Sequence, residues 1–183
     1  MKTDLKSSTT ITIRVAQLAD AHRIAEVHVA SWQTAYRGIL PDKMLDNLSV
    51  ENRQENWQTW LVQTKGHVLV LEVAGQVQGF VMFGATRDKD VNRQEVGEIY
   101  AIYLHPDSWG HGYGRALVEA TKEMLHQNGF SELLLWVLEG NEPAKRFYER
   151  VGFKADGVTK VEFEPDGTEL FECRYRQPIR MTH

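Results

Sequence analysis

Cysteine, net positive charge and long apolar segments are scarce in this 183-residue sequence. Its single cysteine, Cys173, excludes an internal disulfide framework and favours a reducing, cytoplasmic compartment. The longest wholly apolar run covers residues 133–138, whereas a membrane-spanning helix needs ~20 apolar residues. A formal net charge of -4 argues against charge-driven binding of nucleic acid. Neither a nucleic acid nor a membrane is therefore an expected partner.

Signals for secretion and for metal binding are also missing. Residues 1–10 contain no apolar segment of the kind found in signal peptides, and they are expected to be flexible. None of the seven histidines lies in an H-E-x-x-H motif or in a paired cysteine and histidine spacing, so no metal site is expected. The remaining length, residues 11–183, suits a single domain with an ordinary apolar core.

Alternating apolar residues, helix caps and glycine or proline breakers divide the chain into strands and helices. Strands are predicted at 11–15, 67–73, 77–85, 95–104, 133–138, 158–163 and 169–176. Helices are predicted at about 20–32, between Ser49 and Gly66, from the 110–114 turn to about 127, and at 142–150, with a loop or broken helix at 33–41. This order predicts an α/β (α+β) fold, with a central mixed sheet of about seven strands flanked by about four helices.

A glycine-rich turn stands between a predicted strand and a predicted helix. Gly110, Gly112 and Gly114 let the backbone come close to a ligand, and the first N–H groups of a helix have no intrahelical acceptor. Residues 110–114 are therefore a candidate cradle for a pyrophosphate. The spacing differs from the G-x-G-x-x-G motif of dinucleotide-binding folds, and the Gly-Lys-Ser/Thr of a nucleotide P-loop is absent. A tight turn without a ligand is the alternative interpretation.

The same turn resembles a motif of the GCN5-related N-acetyltransferase (GNAT) superfamily. The family pattern Arg/Gln-x-x-Gly-x-Gly/Ala falls on residues 109–114, where both glycines match and Trp109 replaces the usual Arg or Gln. A second family pattern, Asn-x-x-Ala-x-x-Phe-Tyr-x-x-x-Gly-Phe, falls on residues 141–153. Because the element order also resembles that of the family, the resemblance covers roughly residues 11–179.

The resemblance implies that acetyl-CoA binds as co-substrate and donates an acetyl group to an amine. The pyrophosphate would bind backbone amides of Gly110, His111, Gly112, Tyr113, Gly114 and Arg115. The pantetheine arm would pair like an added strand with Ile102, Tyr103 and Leu104, beyond a bulge that separates this strand from its neighbour. An amide near Leu104 would stabilise the oxyanion of the reaction. Asn141 has two compatible interpretations, a helix N-cap and a polar contact to the pantetheine arm.

Two proton-transfer groups are also implied by the resemblance. Tyr148 stands at the family's general-acid position, with a packed helix tyrosine as the alternative. Glu98 is the expected general base, because an amine with a pKa near ~10.4 must lose a proton and an apolar strand would favour proton uptake by a carboxylate. A salt-bridged strand glutamate, with a water chain as the base, is the alternative. Tyr100, which alternation places on the same face as Glu98, and Tyr103 are further candidates.

The acceptor pocket is expected where the first two helices and their loop meet the sheet, as in the family. The candidate substrate-binding residues are Trp32, Tyr36, Glu98 and Tyr100. Packing of helices on the sheet is the alternative for Trp32 and Tyr36, and the helical spacing of Trp57 and Trp60 favours core packing for those two.

The function implied by the resemblance is direct transfer of an acetyl group to a primary amine in a ternary complex. The preferred acceptor is a small molecule: a polyamine, an amino acid, an antibiotic or a toxin. A protein N-terminus or a lysine side chain is the alternative acceptor. A non-catalytic acetyl-CoA-binding module is the alternative from another functional class. Homodimers are common in the family, so a homodimer is an expected assembly.

Overall fold

The computed structural model describes residues 10–63, 65–164 and 166–180, so the segment expected to be flexible lies outside them apart from Thr10. Within them the strands are β1 (Ile11–Val15), β2 (His67–Val73), β3 (Gln76–Ala85), β4 (Val96–Leu104), β5 (Glu132–Leu138), β6 (Lys154–Phe163) and β7 (Glu169–Pro178). The α-helices of the same residues are α1 (Ala21–Ala35), α2 (Asp42–Asp46), α3 (Val50–Gln63), α4 (Tyr113–Gln127) and α5 (Glu142–Arg150). None of these helices has the length and apolar character needed to cross a membrane.

The seven strands of the described residues form one sheet in the order β1-β2-β3-β4-β5-β7-β6. β4 and β5 pair in parallel, whereas every other neighbouring pair is antiparallel. Because β7 lies between β5 and β6, the closing hairpin folds back onto β5. The arrangement confirms the predicted mixed sheet of seven strands.

Alternate side chains of the central strands enter two apolar layers. On one face, Phe80 of β3 packs with Trp57 of α3 and with the buried side of α1. On the other face, Phe83 of β3 packs with Leu117 of α4, and α5 adds Phe147 to this layer. Successive side chains of a strand point to opposite faces, which is why helices cover both sides of this sheet.

The connection between α1 and α3 differs from the prediction. It contains α2, so the described residues form five α-helices where the sequence predicts about four. The loop or broken helix predicted at 33–41 ends at Pro41, which acts as a helix breaker in the sequence pattern. In the structure this proline directly precedes α2, where a missing N–H removes no intrahelical hydrogen bond. α1 also extends to Ala35, and Gln33 Nε2 donates a hydrogen bond to the Leu45 carbonyl oxygen at 3.1 Å. This bond ties α1 to α2.

An extra residue in β4 marks the point where β4 separates from β5. Tyr100 is this residue, because its two neighbours pair with consecutive residues of β3. The β-bulge expected from the family resemblance is therefore present. Among the described residues, the pair formed by Ile99 and Leu135 is the last one between β4 and β5. Beyond it β4 pairs only with β3, and β5 only with β7, so the two parallel strands open into a V-shaped gap.

A buried arginine anchors the β3–β4 connection to β7. Arg174 is 3% exposed and forms ion pairs with Asp88 at 2.9 Å, Asp90 at 2.8 Å and Asp156 at 2.7 Å. Trp136 Nε1 donates a further hydrogen bond to Asp88 at 3.3 Å. A guanidinium with five donors can hold several carboxylates at once. The network therefore fixes the connection that enters the gap beside β4.

We expect Arg174→Met to lower the free energy of unfolding by about 3 kcal/mol, because it leaves three carboxylates without their shared cation. Arg174 holds the pKa of Asp90 below its usual range, so the ion pair stabilises the fold above pH ~4 and this contribution disappears as the pH falls further. Urea unfolding at pH 7 and pH 3 measures both effects. Arg146→Met, at an exposed position of α5, is the matched control. Equal stability of both variants at pH 7 would contradict the anchoring role.

Candidate active site

A cavity of about 640 Å³ follows the V-shaped gap. One end lies at the glycine turn and α5, and the other lies between α1 and the β3–β4 connection. The predicted site residues that line it are Tyr36, Glu98, Tyr100, Ile102, Tyr103, Leu104, Gly110, Gly112, Tyr113, Gly114, Arg115, Asn141 and Tyr148. Two predicted residues do not line it: His111 is exposed on the turn, and Trp32 lines a neighbouring cavity. The structure thus brings most of the predicted site residues, which lie on distant segments of the sequence, together around one cavity.

The glycine turn presents backbone to this cavity. Gly112 is the N-cap of α4 with φ +82°, a left-handed conformation that residues with a Cβ atom rarely adopt. A Cβ atom on Gly114 would lie 2.9 Å from Phe147 Cζ, so glycine is needed where α4 approaches α5. The first N–H groups of α4 have no intrahelical acceptor and lie at the positive end of the helix dipole. The turn therefore has the geometry of an anion cradle.

The side chains of the turn make contacts away from the cradle. Trp109, 41% exposed, donates its indole N–H to the Leu104 carbonyl oxygen at 2.9 Å. Arg115 Nη2 donates to the Arg150 carbonyl oxygen at 2.9 Å, at the end of α5. The rings of His111 and Tyr113 stack with centroids 5.5 Å apart. These contacts hold the turn against β4 and α5, while Trp109, Tyr113 and Arg115 also line the cavity.

Asn141 caps α5 as predicted. Its side-chain oxygen accepts a hydrogen bond from the Ala144 backbone N–H at 3.2 Å, and the residue is buried. Asn141 also lines the cavity. The cap therefore places an amide group beside the gap, where the contact with a pantetheine arm stays a prediction.

Tyr148 projects from α5 into the layer between the helix and the gap. Burial raises the pKa of its phenol, and the nearby Tyr103 raises the same pKa further. Its hydroxyl forms no hydrogen bond with the described residues, although Tyr148 lines the cavity. A neutral phenol at a cavity wall is a hydrogen-bond donor available to a ligand. This setting suits the predicted role of Tyr148 toward a sulfur leaving group.

Two further tyrosines meet at the α1 end of the gap. The hydroxyl groups of Tyr36 and Tyr103 lie 3.2 Å apart and share a hydrogen bond. Burial raises the pKa of both phenols, so both stay neutral near pH 7. Trp32 packs edge-on against Tyr36, with ring centroids 5.0 Å apart. α1 thus contributes Tyr36 to the wall of the first cavity and Trp32 to that of the second, and their contact with a substrate stays a prediction.

Glu98 is held by an ion pair rather than by the apolar surroundings that the sequence suggests. It is 1% exposed, and its Oε1 atom accepts from Arg87 Nη2 at 2.5 Å and from Arg87 Nε at 3.1 Å. Its Oε2 atom accepts from the Arg87 backbone N–H at 2.8 Å and from Thr86 Oγ1 at 3.3 Å. A carboxylate offers about four lone-pair positions. Four donors of Arg87 and Thr86 engage all of them here.

A second cavity, of about 620 Å³, lies between α1, α3 and the sheet. It shares Tyr100, Ala101, Tyr103 and Arg87 with the first cavity. Its remaining aromatic walls are His28, Trp32, Trp57 and Trp60. Trp57 and Trp60 also belong to the apolar layer under α3, as predicted, so these rings have both a packing role and a place in the cavity wall.

Sequence reasoning missed two arginines of the site. Arg87 joins the two cavities, with its guanidinium 4.6 Å from the Tyr100 ring centroid. Arg53 lines the second cavity, 5.8 Å from the Trp32 ring centroid. A signal exists for Arg53, because residues 53, 57 and 60 share one face of α3. Arg87 follows a strand within a charged connection, and its pairing with Glu98 has no local signal.

Comparison with known proteins decides the family. The sequence model of the acetyltransferase (GNAT) family matches residues 22–153. The chain belongs to the GNAT family. An uncharacterised N-acetyltransferase of Bacillus subtilis, YuaI, is 36% identical over 162 residues, which are 88% of this chain and 90% of that protein. A probable N-acetyltransferase of Mycobacterium tuberculosis, Rv2775, is 29% identical over 91% of this chain and 92% of that protein.

Solved GNAT structures share the fold. PaiA N-acetyltransferase from Thermoplasma acidophilum, in complex with coenzyme A, superposes with a TM-score of 0.72 at 20% identity, covering 92% of this chain and 99% of that one. YncA from Salmonella typhimurium, with acetyl-CoA, superposes with a TM-score of 0.67 at 22% identity, covering 96% and 97%. Family membership and the GNAT fold confirm the resemblance carried by residues 109–114 and 141–153.

Two details of this GNAT domain bear on its chemistry. Trp109 stands where the family pattern has Arg or Gln, and its N–H binds the β4 backbone instead of adding a cation at the cradle. In the described part of the chain, no group of three His, Cys, Asp or Glu side chains is placed to hold a metal ion.

We expect Glu98→Gln to destabilise the protein by about 1–3 kcal/mol, because the amide NH₂ turns a donor toward the donors of Arg87 or Thr86. Thermal unfolding measures this loss, with Glu55→Gln on the exposed side of α3 as the control. The pH dependence of kcat/KM is the second readout. Since the carboxylate is saturated with hydrogen bonds, we expect the acidic limb to persist in the variant. A lost acidic limb would instead assign the general base to Glu98.

Proposed function

We propose that this GNAT protein transfers the acetyl group of acetyl-CoA to the primary amine of a small molecule. The observation that carries the proposal is the cavity that runs from the glycine cradle along the open edge of β4, next to an aromatic cavity with which it shares Tyr100 and Tyr103. An anion cradle, an unpaired strand edge and a buried phenol suit a pyrophosphate, a pantetheine amide chain and a thioester in turn. Residues 112–115, β4 beyond Tyr100, Asn141 and Tyr148 would hold the cofactor.

The proposed reaction balances with two proton movements. Acetyl-CoA supplies an acetyl thioester, and the bond between the amine nitrogen and the acetyl carbon forms as the carbon–sulfur bond breaks. The nitrogen gives up one proton and the sulfur gains one. Tyr148 would donate a hydrogen bond to the sulfur. A backbone N–H near Leu104 would donate to the carbonyl oxygen, where negative charge develops.

The size and lining of the second cavity support a small acceptor. Its volume is about 620 Å³, and its aromatic rings come from α1, α3 and β4. Concave sites of this size with aromatic walls are typical for small molecules. A peptide acceptor would need an open groove between the α1–α3 connection and the β6–β7 hairpin.

A thiol-release assay with acetyl-CoA tests the function. The panel contains amino acids, polyamines, simple alkylamines, lysine peptides and peptides with free N-termini. We expect release of free thiol with at least one small amine and formation of the corresponding acetamide by mass spectrometry. Thiol release with peptides alone would indicate a protein acceptor instead of a small molecule. Tight coenzyme binding without thiol release for any amine would indicate a non-catalytic binding module.

We expect Tyr148→Phe to lower kcat by about 10²-fold, within the range that removal of an acid catalyst produces. Coenzyme A affinity should stay within about twofold, because the ring and its packing remain and only the hydroxyl is lost. Burial raises the pKa of Tyr148 above its ordinary value near ~10, so its ionisation cannot cause a fall of kcat below pH ~10. Any such fall in the pH profile of the native protein should therefore persist in the variant. Steady-state kinetics and calorimetric titration with coenzyme A measure these effects. Unchanged turnover would remove Tyr148 from the mechanism.

A further inference from the structure

The second cavity contains a cation without an ion pair among the described residues. Arg53, on α3, is half-buried and lies 5.8 Å from the Trp32 ring centroid. Within residues 10–63, 65–164 and 166–180, its guanidinium makes no hydrogen bond and no ion pair. Burial lowers its pKa, and electrostatic interactions with Glu164 and Tyr103 offset this effect only in part. A partly buried charge without a hydrogen bond or ion pair costs free energy, which a bound anion would offset.

His28 adds a second donor beside Arg53. Its Nδ1 atom accepts a hydrogen bond from Trp57 Nε1 at 3.1 Å, so the proton of the neutral ring is on Nε2. Burial and the charge of Arg53 hold the pKa of His28 well below its usual range, so the ring is neutral near pH 7. In the described structure, Nε2 has no hydrogen-bond partner. His28 therefore offers a donor and no base at this wall of the cavity.

The other charged groups leave this cavity with a positive surplus. Arg87 is neutralised by Glu98. Glu164 lines the cavity beyond ion-pair distance from Arg53, and burial raises the pKa of its carboxyl group, which weakens it as a counter-ion. Lys65 is the remaining cation of the wall. Arg53 and Lys65 thus face one carboxylate, in a protein whose formal net charge is -4.

Resting on the function proposed above, we propose that the acceptor carries a carboxylate as well as the primary amine, and that Arg53 binds this carboxylate. A guanidinium matches the two oxygens of a carboxylate, and the rings of Trp32, Trp57 and Trp60 suit an apolar body. Tyr100 and Tyr103 line both cavities, so an acceptor held at Arg53 extends from there to the acetyl-transfer gap. The acceptor class is therefore an amino acid with an apolar body. Polyamines are disfavoured, because their cations meet the positive surplus.

Matched acceptors separate the carboxylate from the rest of the molecule. Phenylalanine is compared with phenylalaninamide, and 6-aminohexanoate with hexylamine, with spermidine as the cationic case. Each kcat/KM is divided by the fraction of neutral amine at the assay pH, since the amines differ in pKa. We expect the corrected kcat/KM of the carboxylate-bearing acceptor to be about tenfold or more above that of its partner in at least one pair. A charge-assisted hydrogen bond contributes enough free energy for such a ratio.

The variants assign that preference to one side chain. In Arg53→Gln the preference should fall to within about twofold through a higher KM, with kcat largely retained, because the group is remote from the reacting bond. Arg53→Lys should keep part of the preference, since it retains the charge without the planar fork. Lys154→Gln, which removes an exposed cation on β6, is the control with the same change in net charge.

Calorimetric titration of each acceptor into the protein with coenzyme A keeps the two proposals distinguishable. Binding of carboxylate amines that weakens in Arg53→Gln supports the role of Arg53 even if no acetyl group is transferred. Acetylation of amines without preference for a carboxylate, or a preference that Arg53→Gln leaves intact, would overturn the role of Arg53 while the proposed function stands.

Discussion

One extra residue in β4 is the constraint on which the site depends. With Tyr100 inserted, β4 pairs with β3 on both sides of the bulge, with the register shifted by one residue, but it loses its pairing to β5 beyond Ile99. An antiparallel partner thus holds β4 in place while its other edge opens. The bulge also changes the alternation, since Ile99 and Ile102, three residues apart, both pack with the α4 layer. The same local irregularity therefore opens the gap and places Ala101 and Tyr103 against the α1 and α3 layer.

Backbone and side chains have separate tasks around this gap. At the α4 end the cradle consists of backbone N–H groups, and its side chains attach it to β4 and α5. At the α1 end the walls are rings and guanidinium groups, so side chains form the surface there. The two ends meet at the tyrosines of the gap. This division explains how an acidic protein can bind a highly anionic cofactor, because helix dipoles and glycine turns need no surplus of Lys and Arg.

Local patterns predicted most of the fold and the glycine turn, whereas the other candidate cofactor residues were named from the family resemblance. β1 and α5 have the predicted bounds, because strict alternation, an Asn cap and a terminal glycine act within a few residues. β6 starts earlier than predicted, at Lys154, since irregular pairing after Ala155 hides its alternation. The bulge at Tyr100 has no local signal, and its presence was expected only from the family. The hydrogen-bond partners of Glu98, and the lack of an ion pair at Arg53 among the described residues, depend on segments that meet only after folding. Sequence spacing could not reveal them.

The burial of the tyrosines also bears on how an acceptor amine loses its proton. Burial raises the pKa of Tyr36, Tyr103 and Tyr148, which shows that the gap disfavours charge. The same desolvation lowers the pKa of an ammonium group brought to this place, so entry itself favours the neutral amine. A base at this site then needs only to accept a proton from an ammonium group whose pKa the surroundings already lower. The hydrogen bonds of Glu98 with Arg87 and Thr86 suit a residue that shapes the wall of the gap, and a water chain as the base is the prediction that agrees with them.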